Sequence, residues 1–235
     1  MGRWLLLEPD ANAAKRLFCF PFAGAGASAF RDWPGRIGDV EVCAVQLPGR
    51  ENRMRDPAYG DFDSFAEDAA RELAPFLDRP FAFFGHCMGA LLAHAVADRL
   101  DHKPQRLFVS SSYVPYLGVS KPFHPDMSDE HLAEELLAIT KRLGGPVPAP
   151  ELLELSVMVL RNDIEMCVDH APPVRPLKCP ITTIGWADDT IVPPGDMGEW
   201  AEYGDVTQHV LKGDFFDFLS APAELRDVIA RDFKE

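Results

Sequence analysis

Gly85-His86-Cys87-Met88-Gly89 sets a cysteine between two glycines at G-x-C-x-G spacing. That spacing suits a sharp turn lifting one strained side chain above a strand–helix junction, a nucleophile elbow, here with cysteine where serine is usual. Glycines are wanted on both sides because strand and helix close tightly around the turn. The helix that follows supplies free N–H groups and the positive end of its dipole. Both stabilise a thiolate, and both stabilise the oxyanion formed when that thiolate attacks a carbonyl. Cys87 is therefore the candidate nucleophile. The other four cysteines, Cys19, Cys43, Cys167 and Cys179, are widely spaced with no C-x-x-C pair. This argues against a disulfide framework or a metal site and predicts small buried residues.

The elbow has meaning only between a strand and a helix, and both are signalled. Residues 81–86 form a short apolar run, and residues 88–100 are small and apolar on one helical face. Similar runs at 16–21, 40–47, 105–111, 180–185 and 206–211 read as buried strands. Residues 64–77 predict a helix with a capping box, Ser64 and Glu67, and an apolar stripe at Phe65, Ala69, Leu73 and Phe76. Alternation of this kind implies an α/β fold, a mostly parallel sheet flanked by helices. The stretch 113–173 interrupts it with two helical patterns, 128–143 and 151–170, separated by Gly144-Gly145-Pro146-Val147-Pro148. It predicts a helical lid inserted over the carboxyl end of the sheet. Leu152, Leu155, Val159 and Leu160 share one face of its second helix and are expected to line a tunnel to Cys87.

The chain has 235 residues, 47% hydrophobic and 26% charged, which fits one domain, 1–235, with a real core. Lys and Arg number 23 against 37 Asp and Glu, a net charge of −14. So acidic a chain is a poor partner for nucleic acid or an anionic membrane. No run approaches the about 18 apolar residues of a membrane helix, and no secretory h-region follows the start, so a cytoplasmic protein is expected.

Four further segments carry a resemblance. They are Phe20-Pro21-Phe22-Ala23-Gly24-Ala25-Gly26; Leu47-Pro48-Gly49-Arg50-Glu51 with Arg53 and Arg55; Leu143-Gly144-Gly145 with 151–163, ending Leu160-Arg161-Asn162-Asp163; and Gly185-Trp186-Ala187-Asp188 with Ile191 and Trp200. Together with the elbow, they make the chain resemble, nearly end to end, the type II (editing) thioesterases of polyketide and nonribosomal peptide pathways, which are α/β-hydrolases. The resemblance implies an oxyanion hole from the N–H groups of Met88 and Ala23, and a triad acid at Asp188 with Asp189 as fallback. It implies an acyl pocket that includes Phe22. It also implies a small-molecule acyl substrate, an acyl or peptidyl carrier protein as partner, and a monomer. No bound cofactor is implied; the carrier's phosphopantetheine arm brings the substrate. Arg50, Arg53 and Arg55 are a candidate basic patch for an acidic carrier.

Two triad positions depart from that family. Cysteine replaces serine, and the segment L-x-G-[GD]-H-F-F-L, which carries the general base, here reads Leu211-Lys212-Gly213-Asp214-Phe215-Phe216-Asp217-Phe218-Leu219. The base position falls on Phe215, or on Asp214 with one residue deleted; neither is histidine. His209, His124 and His131 are the candidates for a substitute base, whereas His86 should point away from the nucleophile. Cysteine tolerates the loss, since a thiol of pKa about 8.5 is partly ionised at neutral pH without help. Acyl transfer to Cys87 survives, but activation of water does not. The expected function is therefore uptake of an acyl or aminoacyl group on Cys87, followed by transfer or cyclisation. Plain hydrolysis with a relocated base is the alternative, and a non-catalytic relative binding a carrier or intermediate is a third reading.

Overall fold

Among the described residues seven strands form, all but the two-residue second strand where short runs rich in β-branched and aromatic residues lie between glycines, prolines and acidic turns. They are β1 (Lys15–Phe20), β2 (Arg36–Ile37), β3 (Val40–Ala44), β4 (Phe81–His86), β5 (Leu107–Ser110), β6 (Ile181–Trp186) and β7 (Val206–Leu211). The computed structural model describes residues 4–117, 123–168 and 170–234. The ends of the expected domain span, residues 1–3 and 235, lie outside the described residues, as do 118–122 and 169 of the expected lid.

The strands make one sheet in the order β2-β3-β1-β4-β5-β6-β7. Every neighbouring pair is parallel except β2 with β3. The sequence reading omits β2, because two residues of hairpin give no periodicity to detect. From β1 the chain runs first to β3 on one side and later to β4 on the other. The carboxyl ends of β1 and β4 therefore flank a topological switch point, where open α/β sheets leave a crevice.

Helices α1 (Phe62–Leu73) and α2 (Met88–Arg99) cover one face, burying Phe65, Ala69 and Leu92 against Phe18, Phe81 and Phe83. Helix α5 (Ala223–Asp232) covers the other with a 3₁₀ turn at Ala27–Phe30, over Leu17, Phe84 and Phe108. The expected capping box is corrected. Asp61 is the N-cap of α1 and accepts the Ser64 N–H at 2.7 Å, so the helix starts ahead of Ser64.

Between β5 and β6 stand α3 (Asp129–Arg142), capped by Ser128, and α4 (Pro150–Val168). They pack together through Leu132, Val157, Leu160 and Ile164 as a lid with its own small core. No strand occurs among the described residues of 113–173. No described helix is long and apolar enough to cross a membrane.

Candidate active site

Cys87 is the hinge between β4 and α2, with φ +53° and ψ −123°. A Cβ on Gly85 would lie 2.2 Å from the Gly89 carbonyl oxygen, and one on Gly89 would lie 2.1 Å from that of Phe20. Only glycines admit this approach, and it forces the strain onto the residue between them, a cost of roughly 1–3 kcal/mol. The turn is pinned on both sides. Cys87 donates its N–H to the Ser110 carbonyl at 2.9 Å and accepts the Ala90 N–H at 3.0 Å. Its side chain is partly exposed while the other four cysteines are buried. Burial pushes the Cys43 thiol up to about 12 and the Cys179 thiol to about 11, and raises Cys19 and Cys167 well above the ordinary value.

Cys87 borders two spaces. One is a cavity of about 410 Å³, walled by Phe22, Phe215 and Phe216 and roofed by Leu136 and Ile139 of α3. The other is a small pocket of about 30 Å³, which includes Ala23, Met88, Tyr113 and Cys167. Ala23 and Met88, the expected oxyanion-hole pair, thus both stand beside Cys87.

The lid is fastened to this site. Asp163 of α4 accepts the Gly24 N–H at 2.7 Å and both terminal N–H groups of Arg50, at 2.6 and 2.7 Å. Arg50 also donates to the Ala25 carbonyl at 3.0 Å. The expectation that Arg50 belongs to a docking patch is corrected, because its guanidinium is buried inside this clamp. Arg53 bonds Asp56 and the Gln46 carbonyl and lies 5.0 Å over the Trp4 ring, leaving Arg55 exposed.

The acid and base loops meet. The Asp188 N–H donates to the Gly213 carbonyl at 2.9 Å, and the Asp188 side chain is exposed. Asp189 is buried, accepting from Ser111 Oγ at 2.7 Å and from the N–H groups of Ile191 and Val192 at 2.8 and 3.0 Å. Those bonds make Asp189 a turn anchor. Asp214 is likewise occupied: it accepts the Phe216 N–H at 2.9 Å and pairs with Arg142 of α3. Phe215 is 5% exposed, with its ring centroid 4.4 Å from that of His86.

His209 faces α5, with Nε2 3.0 Å from Asp232 and 3.1 Å from Arg231. His124 lies 3.3 Å from Asp126 and His131 3.8 Å from Glu135, both rings more than half exposed. Among the described residues no histidine lines either space beside Cys87. The expected substitutes are thus engaged elsewhere, His209 across to α5 and the other two with near neighbours in the chain. His86 is buried behind Phe215, stacked on Phe218 at 3.8 Å with Nδ1 3.0 Å from Ser110 Oγ, and burial lowers its pKa well below the ordinary value.

The expected tunnel face is corrected as well. Leu155 is 37% exposed, and Val159, though buried, is not among the described residues walling the cavity. The roof comes instead from α3, through Leu136, Ile139 and Arg142, which the sequence reading leaves out. Their signal was present, since they recur three residues apart on one helical face.

The thioesterase domain family matches residues 15–233. The gramicidin S biosynthesis protein GrsT of Aneurinibacillus migulanus is 34% identical over 209 residues, which cover 86% of this chain and 82% of that protein. Among solved structures, the RedJ thioesterase from the prodiginine biosynthetic pathway in Streptomyces coelicolor superposes with a TM-score of 0.79 at 34% identity, covering 97% of this chain and 90% of that one. YbtT, a type II thioesterase from the yersiniabactin NRPS/PKS pathway, gives 0.84 at 26% identity, covering 98% and 97%. With its α/β-hydrolase sheet, the chain belongs to the thioesterase domain family and is related to the type II thioesterases of nonribosomal peptide and polyketide biosynthesis.

Proposed function

We propose that this protein takes an acyl or aminoacyl group from the phosphopantetheine thioester of a carrier protein onto Cys87, then transfers or cyclises it. The Cys87 thiolate attacks the thioester carbonyl, and the N–H groups of Met88 and Ala23 receive the oxyanion. The carbon–sulfur bond to the carrier breaks, and the departing carrier thiolate takes up the proton that Cys87 gave to solvent. One thioester replaces another, so the step is close to thermoneutral. In the second half, an amine, a thiol or a carbanion within the acyl group displaces Cys87 as thiolate.

One observation supports transfer over hydrolysis. The buried phenyl ring of Phe215 stands at the family's base position, and no histidine among the described residues lines the spaces at Cys87. A thiolate needs no base to be acylated, whereas water needs one to release the acyl group. Asp188 keeps the acid's place without an imidazole to orient.

The test is the mass of the intact protein after incubation with an acyl thioester. A persistent adduct on Cys87, discharged by added thiol or amine, is the expected result. Steady release of free acid would replace transfer by hydrolysis. Absence of both adduct and acid would favour a protein that only binds.

A further inference from the structure

Phe22, Phe215 and Phe216 line the same cavity as Cys87, and their rings stand nearly perpendicular to one another. Interplanar angles are 84° for Phe22 with Phe215, 72° for Phe22 with Phe216 and 76° for Phe215 with Phe216. The centroid separations are 6.4, 6.1 and 4.9 Å. Phe123 belongs to the wall of the same space. Phe215 and Phe216 are 5% and 7% exposed, so neighbouring atoms hold their rings in fixed orientations. The guanidinium of Arg142 covers one face of Phe216 at 5.4 Å, which helps fix that ring.

Aromatic rings carry a negative face and a positive edge, and perpendicular pairs set one against the other. A wall of fixed, mutually perpendicular rings therefore offers edges and faces to an incoming ring. An alkyl group gains only the burial of its surface there. A cavity of about 410 Å³ holds one ring on a short linker to the thioester carbon. An imidazole in place of the Phe215 phenyl would interrupt this wall with a polar edge that needs a hydrogen-bond partner.

We infer that the cavity selects acyl groups ending in an aromatic ring, with Phe215 and Phe216 as the specificity-determining residues. This inference rests on the reading that Cys87 accepts acyl groups, and it names their class. Phe215 then has a role of its own: the ring that stands at the family's base position completes the recognition wall.

The test compares two N-acetylcysteamine thioesters, phenylpropanoyl and cyclohexylpropanoyl, which share one carbon skeleton. The cyclohexyl group is the larger and more apolar, so burial alone favours it, whereas ring contacts favour phenyl. The rate of Cys87 acylation is read by intact mass, and binding to Cys87→Ala protein is read separately by calorimetry. The expected result is a phenyl preference of roughly two- to tenfold in both measurements, the size of one or two perpendicular ring contacts. Phe215→Leu and Phe216→Leu should each reduce that ratio while cyclohexylpropanoyl is still bound. Equal or better use of the cyclohexyl thioester by the wild type overturns the inference, as does a ratio unchanged in both variants. Phenyl preference in binding without acylation of Cys87 keeps the inference and removes the acyl-transfer reading. Acylation at equal rates with equal binding does the reverse.

Discussion

Asp163 and Arg50 face each other across the lid boundary as a buried pair joined by two hydrogen bonds of 2.6 and 2.7 Å, their side chains 1% and 7% exposed. The same carboxylate accepts the Gly24 N–H, so one lid residue holds the loop beside Cys87 and the segment that carries Arg50. Removing one partner leaves a buried charge unpaired, which typically costs about 3–5 kcal/mol. Asp163→Leu and Arg50→Met should each lower stability by that order, read from the denaturant midpoint. The double variant should recover part of the loss, because no unpaired charge remains. A double variant as unstable as the two losses added would show that the pair is not the source.

Cys87 is the one partly exposed thiol, while burial holds the other four protonated. Iodoacetamide at limiting dose should label Cys87 first, mapped by peptide mass spectrometry. Uniform labelling, or a preference for Cys19 or Cys179, would count against an accessible thiolate at the elbow. Cys87→Ala should abolish acylation. Cys87→Ser should come close to that, because no histidine among the described residues lines the spaces at this position to activate a hydroxyl. Turnover near normal in the serine variant would reveal a working base.

The elbow and six strands are legible because their signals are local: two glycines about a cysteine, and short runs rich in apolar residues, although β7 at the sheet edge is largely exposed at Thr207, Gln208 and Val210 rather than buried as its run suggests. Legibility ends where partners distant in sequence decide the outcome. Arg50 reads as a surface cation until Asp163 is placed over it, and nothing between residues 50 and 163 announces that pairing. Asp189 and Asp188 are equivalent letters in the chain, and the Ser111 hydroxyl, with the N–H groups of Ile191 and Val192, makes one of them a buried anchor. The choice of α3 over α4 as cavity roof has a similar cause. Both helices are amphipathic, but Leu160 and Ile164 on α4 are taken up by packing with Leu132 of α3. Which apolar face is left for the cavity is thus a property of the pair.

Leu136 roofs the cavity and Leu155 faces outward, so the same substitution should act differently at the two positions. Leu136→Trp fills part of the space above Cys87 and should slow acylation by the bulkiest thioesters most, by tenfold or so where about 1–3 kcal/mol of overpacking falls on the bound acyl group. Leu155→Trp should leave the substrate ranking unchanged. The check is a series of thioesters of graded size. A changed ranking in Leu155→Trp would return the tunnel to the face of α4.

His94 of α2 is 5% exposed, and neither ring nitrogen has a hydrogen-bond partner among the described residues. Burial lowers its pKa from 6.5 to about 4, against an opposing pull from Asp98. The unfolded chain therefore binds the proton first as pH falls. Stability from this group is fully present above about 6.5 and is lost progressively as pH falls to about 4, on the order of 3 kcal/mol at the limit. His170, also lowered to about 4, acts with the same sign. His94→Phe should flatten the fall in denaturant midpoint between those pH values. A slope unchanged by the substitution would assign acid sensitivity to other groups.

The last prediction concerns Phe215 and Asp188. The loops that bear them are joined by the Asp188 N–H bond to the Gly213 carbonyl, so Asp188, the proposed acid, sits beside the turn that leads to Phe215. Phe215 reaches the cavity of Cys87, and an imidazole in its place would enter the same space. Phe215→His should then add release of free acid to a protein that, on the proposed reading, retains its acyl group. A well-placed general base contributes roughly a hundred- to ten-thousandfold, and an imidazole without its evolved surroundings should deliver the lower part of that range. Adding Asp188→Asn should remove most of the gain, since the acid holds the ring in its useful tautomer. Deacylation should also fall below about pH 6.5 in the histidine variant, as the imidazole protonates, with no such inflection in the wild type. The wild-type protein should show no dependence on His124, His131 or His209 replaced singly by alanine. If one of those replacements abolishes acid release while Phe215→His changes nothing, the base was moved rather than lost, and hydrolysis becomes the better account of this site.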